Sequence, residues 1–209
     1  MRLTPSWRLA WALMTFLILA FPAMAQAPAT VDEDPDNVLI MQLKDGPVVI
    51  RMRPDLAPNH VKRIKELVRQ GFYDGVVWHR VIPGQIAQTG DPKGTGEGGS
   101  GQKIKAEFSA EPHLRGTVSM ARADDVDSAD SQWFICLKPN PDFNRRYTIW
   151  GKVIRGMEYV NHIEGGDEDS GHVVNPDRII SARIEADPPR PVAAPASTQP
   201  APKKKKTAS

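Results

Sequence analysis

Residues 72–99 read FYDGVVWHRVIPGQIAQTGDPKGTGEGG, and this stretch decides the fold. Two short apolar runs, 76–82 and 86–89, lie on either side of a Pro-Gly pair, which is the pattern of short strands separated by a turn. Side chains alternate between the two faces of a strand, so Ile86 and Gln88 point the same way. The second of these predicted strands therefore presents one apolar side chain and one amide together.

A run further along the chain repeats this arrangement. Gln132 and Phe134 are two residues apart and share one face of a predicted strand over 131–137. Trp133 and Ile135 share the opposite face. The sequence thus supplies a second strand that presents an amide and an apolar side chain on one side.

The remaining apolar runs complete a mainly β pattern. They predict strands over 38–43, 48–52, 116–121, 147–154 and 178–184. One helix is predicted over 58–69, where Val61, Ile64 and Val68 recur at helical spacing, and a shorter one near 157–163. Many short strands with only two helices predict a closed antiparallel barrel that is capped at its ends.

The first 25 residues stand apart from the rest of the chain. Arg2 and Arg8 precede an apolar run from Leu9 to Phe21, and Ala23-Met24-Ala25 matches a small-residue cleavage site. The segment 1–25 is therefore predicted to be a secretory signal peptide that is cut after Ala25. An uncleaved membrane anchor is the alternative, although the apolar run is short for a spanning helix, which needs about 20 residues.

The folded domain is predicted over residues 36–187, between a linker at 26–35 and a tail at 188–209. The tail is rich in Pro, Ala, Ser and Thr, and it is expected to be disordered because it has little apolar surface to bury. Its run Lys203 to Lys206 would be solvated or would touch anionic lipid or cell-wall polymer. The formal net charge of +2, with both signs intermixed, argues against a nucleic-acid-binding protein.

Three blocks of this sequence, taken in order, resemble the signature segments of the cyclophilins. The blocks are 72–99, then 116–122 with 131–135, then 150–157. The resemblance spans most of the predicted domain and implies an eight-stranded antiparallel barrel with two helices and a groove on its outer surface. It also implies peptidyl-prolyl cis-trans isomerase activity without a cofactor or a metal.

This reaction breaks no covalent bond, so the catalyst has only to favour the twisted amide. Rotation is slow because resonance gives the peptide bond a barrier of about 18–20 kcal/mol. In the twisted state the proline nitrogen regains a lone pair, and a fixed cationic donor beside it stabilises that state over the planar one. Arginine stays charged and offers a rigid fork of donors. By its place in the resemblance, Arg80 is the predicted catalytic residue.

The resemblance also implies a binding site for the proline ring and its flanking backbone. The predicted substrate-binding residues are Ile86, Gln88, Ala121, Arg122, Gln132, Phe134, Phe143 and Tyr147. Ile86 and Phe134 would contact the ring, and the two glutamines would hydrogen-bond the substrate backbone. The alanine and the arginine match a strand edge along which extended substrates lie. Phe143 and Tyr147 match the far wall of the pocket.

Several positions depart from the family pattern. Gln85 stands where the family usually has a pocket phenylalanine, and Asp142 where many members have tryptophan or phenylalanine. Arg122 replaces a frequent asparagine, and Tyr147 replaces a common histidine. These changes leave Arg80 intact but bring the catalytic efficiency into question. They also predict weak cyclosporin binding, because the missing tryptophan helps to hold that ligand in the family.

The predicted partners are proline-containing polypeptides that are unfolded or extended. A monomer is expected, with no stable membrane insertion after signal cleavage, exported across the inner membrane to the bacterial periplasm. A weakly active or inactive proline-binding module or chaperone of the cell envelope is the alternative function, favoured by Gln85 and Asp142. A structural envelope protein is a third interpretation, and it rests on the lysine tail alone.

Other chemistries find little support in the sequence. The stretch 94–101 lacks the Gly-Lys-Ser/Thr continuation of a phosphate loop. The five histidines show no paired ligand spacing. The acidic residues of 124–130 lack the glycine and the closing glutamate of an EF-hand. No metal or cofactor site is therefore predicted.

Overall fold

The computed structural model of the protein describes residues 34–190. The predicted signal peptide, nearly all of the predicted linker and the tail from residue 191 onward lie outside this range. Between residues 34 and 190, no helix is both long enough and apolar enough to cross a lipid bilayer.

Eight short strands and two helices make up the fold. The strands are β1 (Val38–Gln42), β2 (Pro47–Met52), β3 (Arg80–Ile82), β4 (Ile86–Thr89), β5 (Thr117–Met120), β6 (Trp133–Cys136), β7 (Ile149–Arg155) and β8 (Ser181–Ile184). The helices are α1 (Pro58–Arg69) and α2 (Met157–Val160), with short 3₁₀ helices at Pro35–Asn37 and Pro141–Phe143. One antiparallel sheet has the strand order β3-β4-β6-β5-β7-β2-β1-β8. The predicted mainly β class, with eight strands and two helices, is confirmed.

The sheet curls until its two edge strands, β3 and β8, approach each other. In the described residues they form no continuous ladder, and separate hydrogen bonds link the segments that precede them. The main-chain N–H of Trp78 donates to the main-chain oxygen of Asp177 at 2.9 Å, and the main-chain N–H of Ile179 donates to the main-chain oxygen of Val76 at 2.9 Å. The predicted closure was therefore too strong a description, and the strand predicted over 76–82 is reduced to β3.

Large apolar side chains fill the inside of the barrel. Trp78, Trp133 and Trp150 are buried, and the Trp133 ring centroid lies 5.5 Å from that of Trp78 and 5.6 Å from that of Trp150. These rings meet edge to face, a geometry that adds to the free energy gained from apolar burial. Helix α1 turns Val61 and Ile64 inward and packs against β7 and β8, which covers one opening of the barrel.

Helix α1 takes its N-terminal cap from a residue far away in sequence, because Ala57 at the cap position has no side-chain acceptor. Glu107 accepts hydrogen bonds from the main-chain N–H groups of Asn59 and His60, both at 3.1 Å. The same carboxylate lies 2.7 Å from Nδ1 of the fully buried His60 ring. Negative charge is favourable at a helix N-terminus, so this contact fastens α1 to the barrel.

Three histidines, His60, His79 and His113, are buried. Burial lowers the pKa of each ring, because desolvation disfavours the charged imidazolium. The Glu107 carboxylate opposes this effect on the pKa of His60 without outweighing it. The unfolded chain, with histidine pKa values of about 6.5, binds more protons than the folded protein below that pH. Stability is therefore fully present above about pH 6.5 and is lost as the pH falls toward the folded pKa values.

We expect the free energy of unfolding to be level near pH 7.5 and to fall by at least about 1 kcal/mol by pH 5, because protons bind preferentially to the unfolded chain. Urea unfolding followed by tryptophan fluorescence measures it. His60→Gln should weaken the pH dependence, because it removes one of the three buried imidazoles. A free energy of unfolding that stays constant over this pH range would contradict the prediction.

Candidate active site

A cavity of about 390 Å³ opens on the outer surface of the barrel, where β3, β4 and β6 meet, and is called the slot below. It is lined by Arg80, Ile82, Gln85, Ile86, Gln88, Ala121, Arg122, Phe134, Phe143 and Tyr147. The slot brings together the predicted catalytic arginine and every predicted substrate-binding residue except Gln132. That residue lines a neighbouring cavity of about 400 Å³, which Gln88, Ala121 and Arg122 also border.

The floor of the slot is the outward face of β4 and β6. Ile86 and Phe134 are each 3% exposed and pack with Cys136 in a small cluster that is separate from the barrel core. Their neighbours Ala87 and Ile135 point into the core, as alternation along a strand requires. Burial raises the pKa of the Cys136 thiol to about 11, so Cys136 stays a neutral thiol and packs as a small apolar strand residue.

The far wall of the slot consists of Phe143 and Tyr147. Each ring centroid lies 5.5 Å from that of Phe134, and the two wall rings are 5.1 Å apart, all steeply inclined to one another. The Arg122 guanidinium lies 5.0 Å from the Tyr147 ring centroid, within the range of a cation–π contact, and its Nε donates to the Arg146 oxygen at 3.1 Å. The result is an apolar surface of three rings with a cation at its edge.

Arg80 lies at the rim of the slot with its side chain half-buried. Its Nε donates to the main-chain oxygen of Ser170 at 3.0 Å, and its Nη1 donates to Oε1 of Gln88 at 3.2 Å. No carboxylate among residues 34–190 forms an ion pair with it. The guanidinium is thus oriented by neutral acceptors and keeps its full positive charge and its remaining donors for a ligand.

The two predicted amides extend this hydrogen-bond chain. Gln88 donates from Nε2 to Oε1 of Gln132 at 2.9 Å. Gln132 in turn donates from Nε2 to the main-chain oxygens of Gly96 and Gly98, both at 2.8 Å. Their predicted bonds to a substrate backbone remain a prediction, because in this structure both amides connect Arg80 to the glycine-rich loop.

One carboxylate holds that loop in shape. Asp91 is fully buried and accepts hydrogen bonds from the main-chain N–H groups of Lys93, Thr95, Gly96 and Gly98. Burial alone would raise the pKa of Asp91, but these N–H groups outweigh it and lower the pKa to about 2. The carboxylate therefore stays ionised at neutral pH, and hydrogen bonds run without a break from Asp91 through the glycine-rich loop, Gln132 and Gln88 to Arg80.

Sequence reasoning did not find Ile82 as a lining residue, nor the role of Asp91. Ile82 is two residues after Arg80 on β3, so strand alternation could have placed both on the slot side. An aspartate directly before a glycine-rich loop is a known signal for side-chain bonds to nearby N–H groups.

The arrangement suits a ligand that combines a small apolar ring with a hydrogen-bond acceptor. The three aromatic rings supply the apolar surface, and Arg80 supplies a charged donor beside it. Within the part of the chain that the structure describes, no group of three or more His, Cys, Asp or Glu side chains is placed to hold a metal ion.

Comparison with known proteins identifies the family. Residues 38–184 match the family model described as cyclophilin type peptidyl-prolyl cis-trans isomerase/CLD. A protein of Brucella suis biovar 1 (strain 1330), named probable peptidyl-prolyl cis-trans isomerase, is 49% identical over 193 residues, which cover 86% of this chain and 97% of that protein. Peptidyl-prolyl cis-trans isomerase B of Bacillus subtilis (strain 168) is 42% identical over 128 residues, or 60% of this chain and 89% of that protein.

Solved structures share the architecture. Cyclophilin AquaCyp293 from Hirschia baltica matches with a TM-score of 0.65 and 28% identity, over 73% of this chain and 75% of that chain. A cyclophilin type isomerase of Cryptosporidium parvum, crystallised in the presence of the dipeptide Ala-Pro, matches with a TM-score of 0.66 and 29% identity, over 72% of this chain and 99% of that chain. Because the family model covers most of its length, this chain belongs to the cyclophilin-type peptidyl-prolyl cis-trans isomerases.

Proposed function

We propose that the slot receives the proline ring of exported polypeptides and that Arg80 accelerates rotation of the peptide bond before that proline. The observation that carries the proposal is the placement of the Arg80 guanidinium. It stands at the rim of an apolar three-ring surface, and it has no carboxylate partner among residues 34–190. Peptidyl-prolyl isomerisation is the activity of the family, and the proposal assigns its parts to this chain's residues.

The catalytic effect would come from stabilising the twisted amide more than the planar one. In the planar amide the proline nitrogen has no available lone pair, whereas in the twisted amide it accepts a hydrogen bond. A cationic donor that is already in place lowers the barrier because the protein need not reorganise at the moment of rotation. The bonds of Arg80 to Ser170 and Gln88 supply this preorganisation.

The expected substrates are extended or unfolded chains that contain proline. The apolar floor of Ile86 and Phe134 would hold the ring, and the open rim beside Ala121 and Arg122 would take the flanking backbone. The Ala-Pro dipeptide present in the crystals of the Cryptosporidium parvum protein is a ligand of this chemistry. We further propose that the protein acts as a monomer and binds no nucleic acid.

An inactive proline-binding module or envelope chaperone is the second candidate. Gln85 favours it, because a half-buried amide lines the slot where the family usually has an aromatic ring. A less complete apolar enclosure would bind the proline ring more weakly and would constrain the amide less. Binding without turnover would then be the function.

Substitution of Arg80 separates the two candidates. We expect Arg80→Ala to lower kcat/KM for a proline tetrapeptide by about 10²–10³-fold, the usual effect of removing one preorganised donor. Arg80→Lys should fall between wild type and Arg80→Ala, because it keeps the charge and loses the planar fork. A protease-coupled isomerase assay gives the rates.

Arg155→Ala is the matched control, because this exposed arginine ends β7 outside the slot. It should retain the wild-type rate. Equal rates for the wild type and Arg80→Ala would defeat the enzymatic proposal, and peptide binding by both proteins would then favour the binding module.

Export is proposed from the sequence pattern of residues 1–25. When the full chain is expressed in a Gram-negative bacterium, we expect a periplasmic product that begins at Gln26, because small residues precede the cleavage site. N-terminal sequencing or mass spectrometry of the periplasmic fraction measures this. Ala25→Arg should block cleavage and retain the chain at the membrane, while recovery of an intact N-terminus from the wild type would support the anchor instead.

Weak cyclosporin binding is proposed from Asp142, which is exposed in the 3₁₀ helix Pro141–Phe143. We expect poor inhibition of the wild type and about tenfold stronger inhibition of Asp142→Trp, a typical contribution of an interface tryptophan. Inhibition curves for both proteins, measured with the same peptide substrate, provide the comparison. Nanomolar inhibition of the wild type would contradict the expectation.

A further inference from the structure

A buried histidine lies directly behind the far wall of the slot. His113 is 1% exposed. Its ring centroid lies 5.9 Å from that of Phe143, and the two rings are perpendicular. Its Nε2 is 2.9 Å from Oγ of Ser119, and its Nδ1 is 3.2 Å from Oδ1 of Asn144. This histidine does not line the slot, yet it contacts a residue that does.

The hydrogen bonds determine where the ring proton lies. The main-chain N–H of His113 donates to Oδ1 of Asn144 at 2.7 Å, and since a main-chain nitrogen can only donate, the Asn144 amide orientation is fixed. Nδ1 faces the same oxygen and must therefore carry a proton. Burial lowers the pKa of His113, so the ring is neutral at pH 7, and Nε2 accepts from the Ser119 hydroxyl.

The main chain of His113 also makes hydrogen bonds at both ends of the helix that carries the wall residue Phe143. The 3₁₀ helix Pro141–Phe143 has Asn140 before it and Asn144 after it. The Asn140 N–H donates to the His113 oxygen at 2.8 Å, while Asn144 accepts from the His113 N–H and ring. Both flanks of the helix that carries Phe143 are thus fastened to one residue.

This short helix depends on its contacts with the rest of the protein: the Phe143 ring packs on Phe134 and Tyr147, and His113 binds both flanks. It is three residues long and neither of its caps makes a side-chain hydrogen bond to it, so its conformation depends on tertiary contacts. Arg145 follows with φ of 59°, a left-handed conformation that costs free energy in a residue other than glycine. We expect such a segment to change conformation if its hydrogen bonds to His113 were removed.

On its other side, the His113 ring is hydrogen-bonded to Ser119, which lies next to the floor of the slot. Ser119 on β5 is paired with Phe134 on β6, so the two side chains share one face of the sheet and the His113–Ser119 bond anchors the imidazole beside the floor residue. From Ser119 through His113 to Phe143, one neutral imidazole therefore links the floor strands to the wall ring, in addition to the direct contact of Phe143 with Phe134.

We propose that His113 is a positioning residue that fixes the width of the slot and makes it selective for a five-membered ring. The proposal rests on the proposed function in one respect, namely that the slot receives the proline ring. A rigid apolar pocket discriminates against one added methylene group by about 10- to 200-fold. Pipecolic acid, the six-membered homologue of proline, adds one such group.

The experiment compares the affinities of two peptides that differ only in this ring. NMR titration gives the dissociation constants of an Ala-Pro and an Ala-pipecolyl tetrapeptide, and it requires no turnover. We expect the wild type to prefer the prolyl peptide by about tenfold. Asn144→Ala, which removes the acceptor of the His113 ring, should reduce that preference to about threefold by weakening binding of the prolyl peptide.

Three further variants separate positioning from general stability. Asn144→Asp keeps an acceptor oxygen and should restore most of the preference. Val68→Ala removes part of the barrel core, which is a cluster distinct from the slot floor, and should lower the melting temperature without changing the preference. His113→Gln keeps the main-chain bonds, loses the ring contact and should behave like Asn144→Ala, so it decides the question if Asn144→Ala does not fold cooperatively.

The inference is overturned if Asn144→Ala, or His113→Gln where Asn144→Ala does not fold, keeps the wild-type preference for the prolyl peptide. It is also overturned if Val68→Ala loses as much of that preference as these variants do. Nitrogen-15 NMR of the histidine rings adds an independent check, because the wild type must show His113 neutral with its proton on Nδ1. A wild type that binds both peptides with the expected preference but isomerises no faster than Arg80→Ala would defeat the proposed function and leave the role of His113 intact.

Discussion

Two neutral oxygen acceptors hold the guanidinium of Arg80, and the proposed activity depends on that choice of partner. The Ser170 carbonyl and the Gln88 amide orient the side chain without offsetting its charge. A carboxylate in the same place would form a stronger bond. It would also reduce the positive potential that the twisted amide requires. Two carboxylates of this region act at a distance: Asp91 through the glycine-rich loop and Gln132, and Asp167 through the main-chain N–H and the hydroxyl of Ser170.

Strands β4 and β6 present one face to the barrel core and the other face to the slot. Ala87 and Ile135 belong to the barrel core, while Ile86 and Phe134 belong to a separate cluster beneath the slot. Because the two clusters are distinct, changes in the slot alter the fit of a ligand with limited effect on the barrel. This separation explains how departures such as Gln85 are compatible with a complete barrel core.

Strand alternation predicted the floor of the slot, because it depends only on neighbouring residues. Phe143 was predicted from the family resemblance alone, since it lies in an irregular segment without periodicity. The contact between His113 and Asn144 joins residues 31 positions apart, and neither lies in a strand, so no local pattern indicates it. The incomplete closure between β3 and β8 was equally hidden, because it depends on how the chain between residues 164 and 177 wraps around the barrel.

Gln85 shows how the slot remains usable without a second aromatic floor residue. Its main-chain oxygen accepts from the Leu137 N–H at 2.8 Å and from Nδ2 of Asn140 at 3.3 Å, so the residue joins the β3–β4 turn to the end of β6 and to the wall segment. Gln85 is half-buried and lines the slot together with Phe143. The apolar contacts of a bound ring would therefore come from Ile86, Phe134 and the two wall rings. In a slot with one polar side, the position of the remaining aromatic wall governs affinity more strongly than it would in a fully apolar enclosure.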